Sequence, residues 1–363
     1  MRIVSVVGTR PNFMKLAPVA RALAKRPNVE HIIVHTGQHY DAVMSDTFFQ
    51  ELDIPAPQYA LAVGSGTHSE TTANVMAKLE PVLAHEKPDT VLVYGDVNST
   101  VAAALTAAQL DIRVGHVEAG LRSRDRSMPE ELNRLITDHI ADVLLAPSPD
   151  AVQNLRSEGI AASAVHFVGN VMIDSLVRAL PEAHKSRELR VGQQNGPYVV
   201  TTLHRPSNVD DADTLRDLIK SLEELSREVP VHFAMHPRTR RRLSEMKLTP
   251  NGGGELHVMD PLSYLDMLGL VAAAGLVITD SGGLQEETSF LGVPCLTLRH
   301  NTERPITCSA GTNELVAPVG AAMLNGARRA LGRTGPRVRP VIEKWDGRAA
   351  ERIAEVLCEG VQY

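Results

Sequence analysis

Short runs of aliphatic and β-branched residues alternate with amphipathic stretches along almost the whole chain. RIVSVVG (2–8) precedes a stretch from Phe13 to Lys25 with apolar positions at helical spacing, Pro18 being its one irregularity. HIIVHTG leads into a mixed stretch through Leu52, and TVLVYGD into the Ala-rich STVAAALTAAQL. RVGHVEAG, VLLAPS and HFVGN each end in a turn signal before another helical pattern. Apolar runs without alternation are what strands buried on both faces look like, and helices between them make the strands parallel. The pattern stops in the charged, Gly- and Gln-containing stretch Glu182 to Pro197, the candidate linker. It restarts with YVVTTLHR, VHFAMHP, LHVMD, LVITDSGG and PCLTLR, and GRTGPRVRP breaks it again before a last helix from about Ile342 to Glu359. The expectation is an α/β protein of two Rossmann-like, doubly wound domains facing a central cleft. The boundaries fall at residues 1–180, 181–340 and 341–363.

Composition narrows the function classes. A chain of 363 residues exceeds one comfortable core, in keeping with two domains. The net charge of −6 argues against a general nucleic-acid partner. Cys295, Cys308 and Cys358 are far apart and form no Cys-x-x-Cys pair, which speaks against a disulfide framework or a zinc knuckle. The start MRIVSVVGTR is too short in apolar residues for a signal peptide, and no apolar run reaches the roughly 18 residues of a membrane span. A cytoplasmic protein with no membrane partner is expected.

In doubly wound sheets, ligands bind beyond the carboxyl ends of strands. The residues there are Gly8-Thr9-Arg10, Thr36 to His39, Gly95-Asp96 and Glu118-Ala119-Gly120. The second half adds His204-Arg205, His236-Pro237, Asp280-Ser281-Gly282-Gly283 and Arg299. Glycines before a helix let backbone N–H groups approach an anion, and the helix N-terminus adds partial positive charge, so DSGG suits a phosphate. The alternative is that Asp280 or Ser281 simply caps the helix. Glu286 and Glu287 lie one turn further on, where a carboxylate can accept from ribose hydroxyls; a nucleotide fits both features.

There is no Walker-type Gly-x-x-x-x-Gly-Lys and no Gly-x-Gly-x-x-Gly after the first strand, which reads against ATP and NAD chemistry. The run Asp210 to Asp213 reads as a helix start, and HTGQH spans a turn, so no metal site is expected. The first half carries Asp96, Glu118 and the pair Glu130-Glu131, although PEELNR is also a good helix start. Crowded carboxylates suit acid/base work near neutral pH, and Arg10, Lys15, Arg122, Arg134 and His204 are the candidate offsetting cations.

Eight segments occur in an order that resembles bacterial, non-hydrolysing UDP-N-acetylglucosamine 2-epimerases: GTRPNFMKLAPV, TGQHYD, GDVNSTVAAAL, HVEAGLRSRDRSMPEELNR, VGNVMID, TLHRPSNVD, TDSGGLQEE and RHNTERP. The resemblance covers residues 1 to about 330. It implies the GT-B fold, a homodimer, and a final helix packed back on the first domain. It also implies reversible epimerisation at C2 between UDP-N-acetylglucosamine and UDP-N-acetylmannosamine, through loss of UDP, an enzyme-bound 2-acetamidoglucal and readdition, with no cofactor. Carried over by position, Asp96, Glu118 and Glu130 become the catalytic carboxylates, with His204 near the diphosphate. Arg10 and Lys15 match the positive residues of the first loop, Ser281, Gly282 and Gly283 the diphosphate turn, and Glu287 the ribose ligand. Arg134, Arg205, His236 and Arg304 complete the expected substrate-contacting set.

The chain departs from the resemblance at three places. Asn12 stands where many members have glutamate, and Met267 where some place an aromatic ring on the uracil. The loop QHYDAVM puts Asp41 near the place of a glutamine that helps bind an activating second substrate, so turnover without substrate activation is expected. The competing expectations are a hydrolysing epimerase that releases N-acetylmannosamine and UDP, an epimerase of a related UDP-diacetamido sugar, a GT-B glycosyltransferase, and a non-catalytic nucleotide-binding module.

Overall fold

The computed structural model describes residues 1–37, 52–191, 196–250, 253–333 and 336–359. Most of the loop bearing Asp41 therefore lies outside the described residues, as does the side chain of Arg10. The chain divides into two compact units, Met1–Ser175 with Glu343–Tyr363, and Leu176–Ile342. The division falls inside the helix Val171–Val191. Glu182 to Val191, expected as linker, are thus helical.

Unit 1 holds a parallel sheet of β1 (Arg2–Val7), β2 (Glu30–His35), β3 (Tyr59–Ala60), β4 (Thr90–Tyr94), β5 (Arg113–Val117), β6 (Val143–Ala146) and β7 (Val165–Phe167). Its spatial order is β3-β2-β1-β4-β5-β6-β7. Val4, Val6, Val91 and Val93 pack against Leu79 and Leu83 of the helix His68–Glu86 and Ala103, Ala104 and Ala107 of Asn98–Gln109. The intervening Ile3 and Leu92 are equally buried on the other face, where the helix Arg10–Ala24 lies against β1, β2 and β4. That helix starts a turn earlier than the periodicity predicts because Pro11 serves as a first-turn residue, whose missing N–H costs nothing there. Asn12 accepts from the Thr9 N–H at 3.3 Å and donates to the Tyr94 carbonyl at 2.7 Å, a donation a glutamate could not make.

The last helix, Ala349–Glu359, is shorter than expected and packs on Arg10–Ala24. Its first N–H groups, from Ala349 and Ala350, donate to Asp174 at 3.1 and 2.7 Å, and Trp345 Nε1 donates to the Pro147 carbonyl at 3.1 Å.

Unit 2 repeats the plan with β8 (Val199–Thr202), β9 (Val231–Ala234), β10 (Leu256–Met259), β11 (Leu276–Thr279), β12 (Cys295–Leu298) and β13 (Asn313–Val316), in the order β10-β9-β8-β11-β12-β13. Val199, Leu276, Ile278, Leu296 and Leu298 share one core with Leu215, Leu218, Leu222 and Met323, while Val200, Val277 and Cys295 share another with Leu270, Val271 and Leu284. Strand neighbours thus point to opposite, equally apolar layers. Burying each such aliphatic side chain contributes roughly 1.5–3 kcal/mol, which explains the absence of polar alternation. Met267 is half-buried beside the second core. In both sheets the chain reverses direction across the sheet between its first and fourth strands, β1/β4 and β8/β11, and ligand sites form beyond such switch points.

Candidate active site

In unit 1, β4 runs into Gly95-Asp96 and β5 into Glu118, both at the switch-point side of the sheet. Gly95 has φ +65°, and a Cβ there would lie 2.6 Å from Lys15 Nζ and 3.2 Å from Glu118 Oε2. Only glycine lets the backbone pass this close in that conformation. Glu118 itself sits at φ +74°, a region that side chains rarely adopt and that clusters at functional sites. Its carboxylate pairs with Lys15, from the second turn of Arg10–Ala24, and both side chains are buried.

Asp96 pairs with Arg134 of the helix Pro129–Ile140, and Asn133 Nδ2 donates to the Asp96 carbonyl at 2.9 Å. The Arg134 guanidinium is buried, and also donates to Glu131 Oε2 at 2.9 Å and to Ser123 Oγ at 3.3 Å. Glu131 accepts from the backbone N–H groups of Ser123 and Arg124, each at 2.9 Å. Burial alone would raise the Glu131 carboxyl; the Ser123 N–H and the Arg134 charge outweigh it and hold the group below its usual range. Glu130, one residue earlier, is half-buried and has no hydrogen-bond or ion-pair partner among the described residues. The adjacent glutamates therefore divide: Glu131 ties a loop to the helix start, and Glu130 keeps its carboxyl available. Arg122, a candidate cation from sequence, is instead buried in ion pairs with Asp138 at 2.7 Å and Glu158 at 2.6 Å, which leaves no face for a ligand. Arg134 likewise holds protein carboxylates.

In unit 2, β8 leads to His204-Arg205 and β11 to Asp280-Ser281. Asp280 is fully buried and accepts from the backbone N–H groups of His204 and Arg205, each at 2.9 Å, and from Asn208 Nδ2 at 3.2 Å. His204 Nδ1 lies 2.8 Å from Asp280 Oδ1, so Nε2 is the nitrogen left for another partner. Burial opposes the Asp280 charge, but the His204 contact and the two N–H groups outweigh it and lower the carboxyl. Asp280 is thus an anchor for the His204 loop and not a helix cap. Ser281, at the N-cap of Gly282–Leu291, makes no side-chain cap bond either, and the first N–H groups of that helix keep their capacity for an outside acceptor. A Cβ on Gly282 would lie 2.7 Å from Arg304 Nη1, whereas one on Gly283 would meet nothing within 4 Å. The turn is closed on the arginine side and open on the other.

The two glutamates of that helix also diverge. Glu286 pairs with Arg304 Nε at 2.8 Å. Glu287 is buried, and burial, then the charge of Glu286, pushes its carboxyl up to about 8 despite the neighbouring Tyr264 hydroxyl. Arg304 and Arg299 both hold Glu303, the latter at 2.7 Å, and Arg205 Nη2 stands 3.9 Å away. Burial opposes the Glu303 charge, but the three guanidiniums hold its carboxyl far below the usual range. His236 is exposed; its Nδ1 accepts from the Arg238 N–H at 3.1 Å, and its ring centroid lies 5.5 Å from that of His204. Among the described residues no group of three or more His, Cys, Asp or Glu side chains could hold a metal ion. No described helix is long and apolar enough to cross a membrane.

A family profile described as UDP-N-acetylglucosamine 2-epimerase matches residues 21–358. The chain is 41% identical to the UDP-N-acetylglucosamine 2-epimerase of Methanocaldococcus jannaschii, across 99% of this chain and 100% of that protein. It is 40% identical to the UDP-2,3-diacetamido-2,3-dideoxy-D-glucuronate 2-epimerase of Pseudomonas aeruginosa, across 99% and 100% respectively. In structure it is similar to the M. jannaschii UDP-GlcNAc 2-epimerase crystallised with UDP-GlcNAc and UDP, with a TM-score of 0.90 at 41% identity, over 99% of this chain and 100% of that one. The two parallel sheets with helices between their strands are the GT-B class of these neighbours.

Proposed function

The chain belongs to the UDP-N-acetylglucosamine 2-epimerase family, and on that premise we propose that it interconverts UDP-N-acetylglucosamine and UDP-N-acetylmannosamine. The observation that carries this reading is the uncapped start of Gly282–Leu291, with the buried carboxyl of Glu287 further along the same helix. The N–H groups of that turn, with Arg205 and His204, take the diphosphate, and Glu287 takes the ribose hydroxyls. Asp96, Glu118 and Glu130 take the acid/base roles.

The proton at C2 is not beside a carbonyl, so direct abstraction is prohibitive. Breaking the C1–O bond instead sends its electron pair away with UDP, while a carboxylate accepts the C2 proton and the C1=C2 bond forms. Readdition of UDP with protonation on the other face gives the epimer. Leaving-group charge is met by the helix N-terminus with Arg205 and His204, and proton transfer on two faces needs more than one acid/base group. Glu130 is suited to carry a proton because it has no ionic partner among the described residues; Asp96 and Glu118 each face a cation. We further propose a homodimer, the state the family resemblance implies.

The 40% identity to the diacetamido-glucuronate epimerase favours one second reading, a UDP-diacetamido-uronic acid substrate. Turnover of the two nucleotide sugars, compared by kcat/KM, separates them. The proposal expects UDP-N-acetylglucosamine to be preferred; a preference of about tenfold or more for the diacetamido substrate would reverse the assignment.

A further inference from the structure

Beneath the unit 1 carboxylates lies a buried pair to which the chemistry above gives no role. His116, in β5, has Nδ1 2.6 Å from Asp138 Oδ1 and Nε2 2.8 Å from the Gly95 carbonyl. The other Asp138 oxygen accepts from the Gly120 N–H at 3.0 Å and from Arg122 Nη1 at 2.7 Å, and Arg122 continues to Glu158. His116 is 0% and Asp138 1% exposed. A carbonyl can only accept, and the carboxylate is already shared with a guanidinium. His116 Nε2 therefore donates to the Gly95 carbonyl, while Nδ1 faces a carboxylate that Arg122 also holds. Burial opposes the Asp138 charge, but His116 and then Arg122 hold it below the usual range.

The endpoints of this chain are what give it meaning. Gly95 immediately precedes Asp96, and Gly120 follows Glu118 by two residues. The backbones of all three turn residues sit at positive φ: +65° at Gly95, +74° at Glu118 and +86° at Gly120. Glycine adopts such a φ freely, but Glu118 does not, and it persists there only where the surroundings over-determine it. We propose that His116 is a positioning residue for the epimerisation: with Asp138 it braces the Gly95 and Gly120 backbones, and so fixes Asp96 and Glu118 relative to one another. This rests on the assignment of those two carboxylates to the reaction. A pair serving stability alone would be matched by an apolar filling of the same shape, with no selective effect on turnover.

The test uses the full chain with His116→Phe, which removes both ring nitrogens, and His116→Gln, which keeps an N–H able to reach the Gly95 carbonyl. UDP is held by unit 2 groups in this account, so its affinity reports folding independently of the brace. His116→Phe is expected to lower kcat about a hundredfold while the Kd for UDP, by titration calorimetry, stays within about twofold. His116→Gln is expected to restore about tenfold of that loss. A folded His116→Phe variant with near wild-type kcat, or parallel loss of kcat and UDP affinity in both variants, would overturn the proposal. Nitrogen-15 NMR of the wild-type imidazoles is a second readout, needing neither variant folding nor turnover. A hydrogen on His116 Nε2 supports the brace, and a bare Nε2 overturns it. Absence of turnover by wild type on any UDP-sugar would count against the functional reading, while the NMR result still decides the brace.

Discussion

Replacing Glu287 by Gln isolates a charge that the fold holds in an unusual state. Burial and the neighbouring Glu286 raise the Glu287 carboxyl from 4.5 to about 8, so at pH 7 roughly 90% of unliganded molecules carry it protonated. If ribose hydroxyls donate to this carboxyl, binding favours its anion and returns it toward the ordinary range. Each UDP bound at pH 7 then releases about 0.9 proton from this group. Ionising the group at pH 7 costs about 1.4 kcal/mol, against roughly 1.5–3 kcal/mol for a hydrogen bond to a charged acceptor, so binding gains on balance. The affinity advantage of wild type over Glu287→Gln should grow about tenfold per pH unit from pH 6 to 8 and level off above. Titration calorimetry with UDP, in buffers of differing ionisation enthalpy, reads both quantities, and the wild-type-minus-variant difference cancels the titration of UDP itself. Equal proton release in the two proteins, or an affinity difference flat with pH, would refute the reasoning. Stability carries the same sign. A carboxyl raised on folding contributes stability that is fully present below 4.5 and lost as pH rises through about 8, so the variant should gain on wild type in alkaline urea titrations.

The adjacent glutamates should part under mutation: Glu130→Gln lowers kcat about 10²- to 10⁴-fold with an unchanged urea midpoint. Glu131→Gln, which weakens the contacts to Ser123, Arg124 and Arg134, costs about 1–3 kcal/mol of stability and lowers that midpoint. Gly95→Ala forces a Cβ against Lys15 Nζ in a left-handed conformation, so a loss of about 1–3 kcal/mol in thermal unfolding and a fall in kcat are expected together. Asp174, which receives the first N–H groups of Ala349–Glu359, is raised by burial from 3.8 to about 6. Its contribution is present below 3.8 and lost as pH rises through about 6, so Asp174→Asn should flatten that part of the stability curve by about 3 kcal/mol.

Much of this architecture is legible in the chain because strands buried on both faces leave an unmistakable apolar signature, as in TVLVY and LVIT. Helix limits were harder to read. Pro11 looks like a breaker but sits in a first turn, and the charged stretch from Glu182 to Val191 looks like a linker but is helical. Strand-end reading puts Asp96, Glu118, His204 and the Asp280 turn just beyond β4, β5, β8 and β11, as the structure has them, where ligands of such sheets bind. It could not tell a capping Asp280 from one that anchors the His204 loop, because that depends on Asn208 and Arg205, more than seventy residues away in sequence. The pairings of Arg122 with Asp138 and Arg134 with Asp96 were hidden for the same reason. His116 did leave a signal, a polar residue among the buried positions of RVGHV, but its partner Asp138 lies a helix away.

The central claim is tested most directly by following UDP-N-acetylglucosamine with the purified protein in D2O by proton NMR. UDP-N-acetylmannosamine should grow in with deuterium at C2 of the sugar, as proton removal and return on opposite faces require. Free N-acetylmannosamine appearing with stoichiometric UDP would make the enzyme hydrolysing, and epimerisation with the C2 proton retained would contradict the elimination–readdition mechanism.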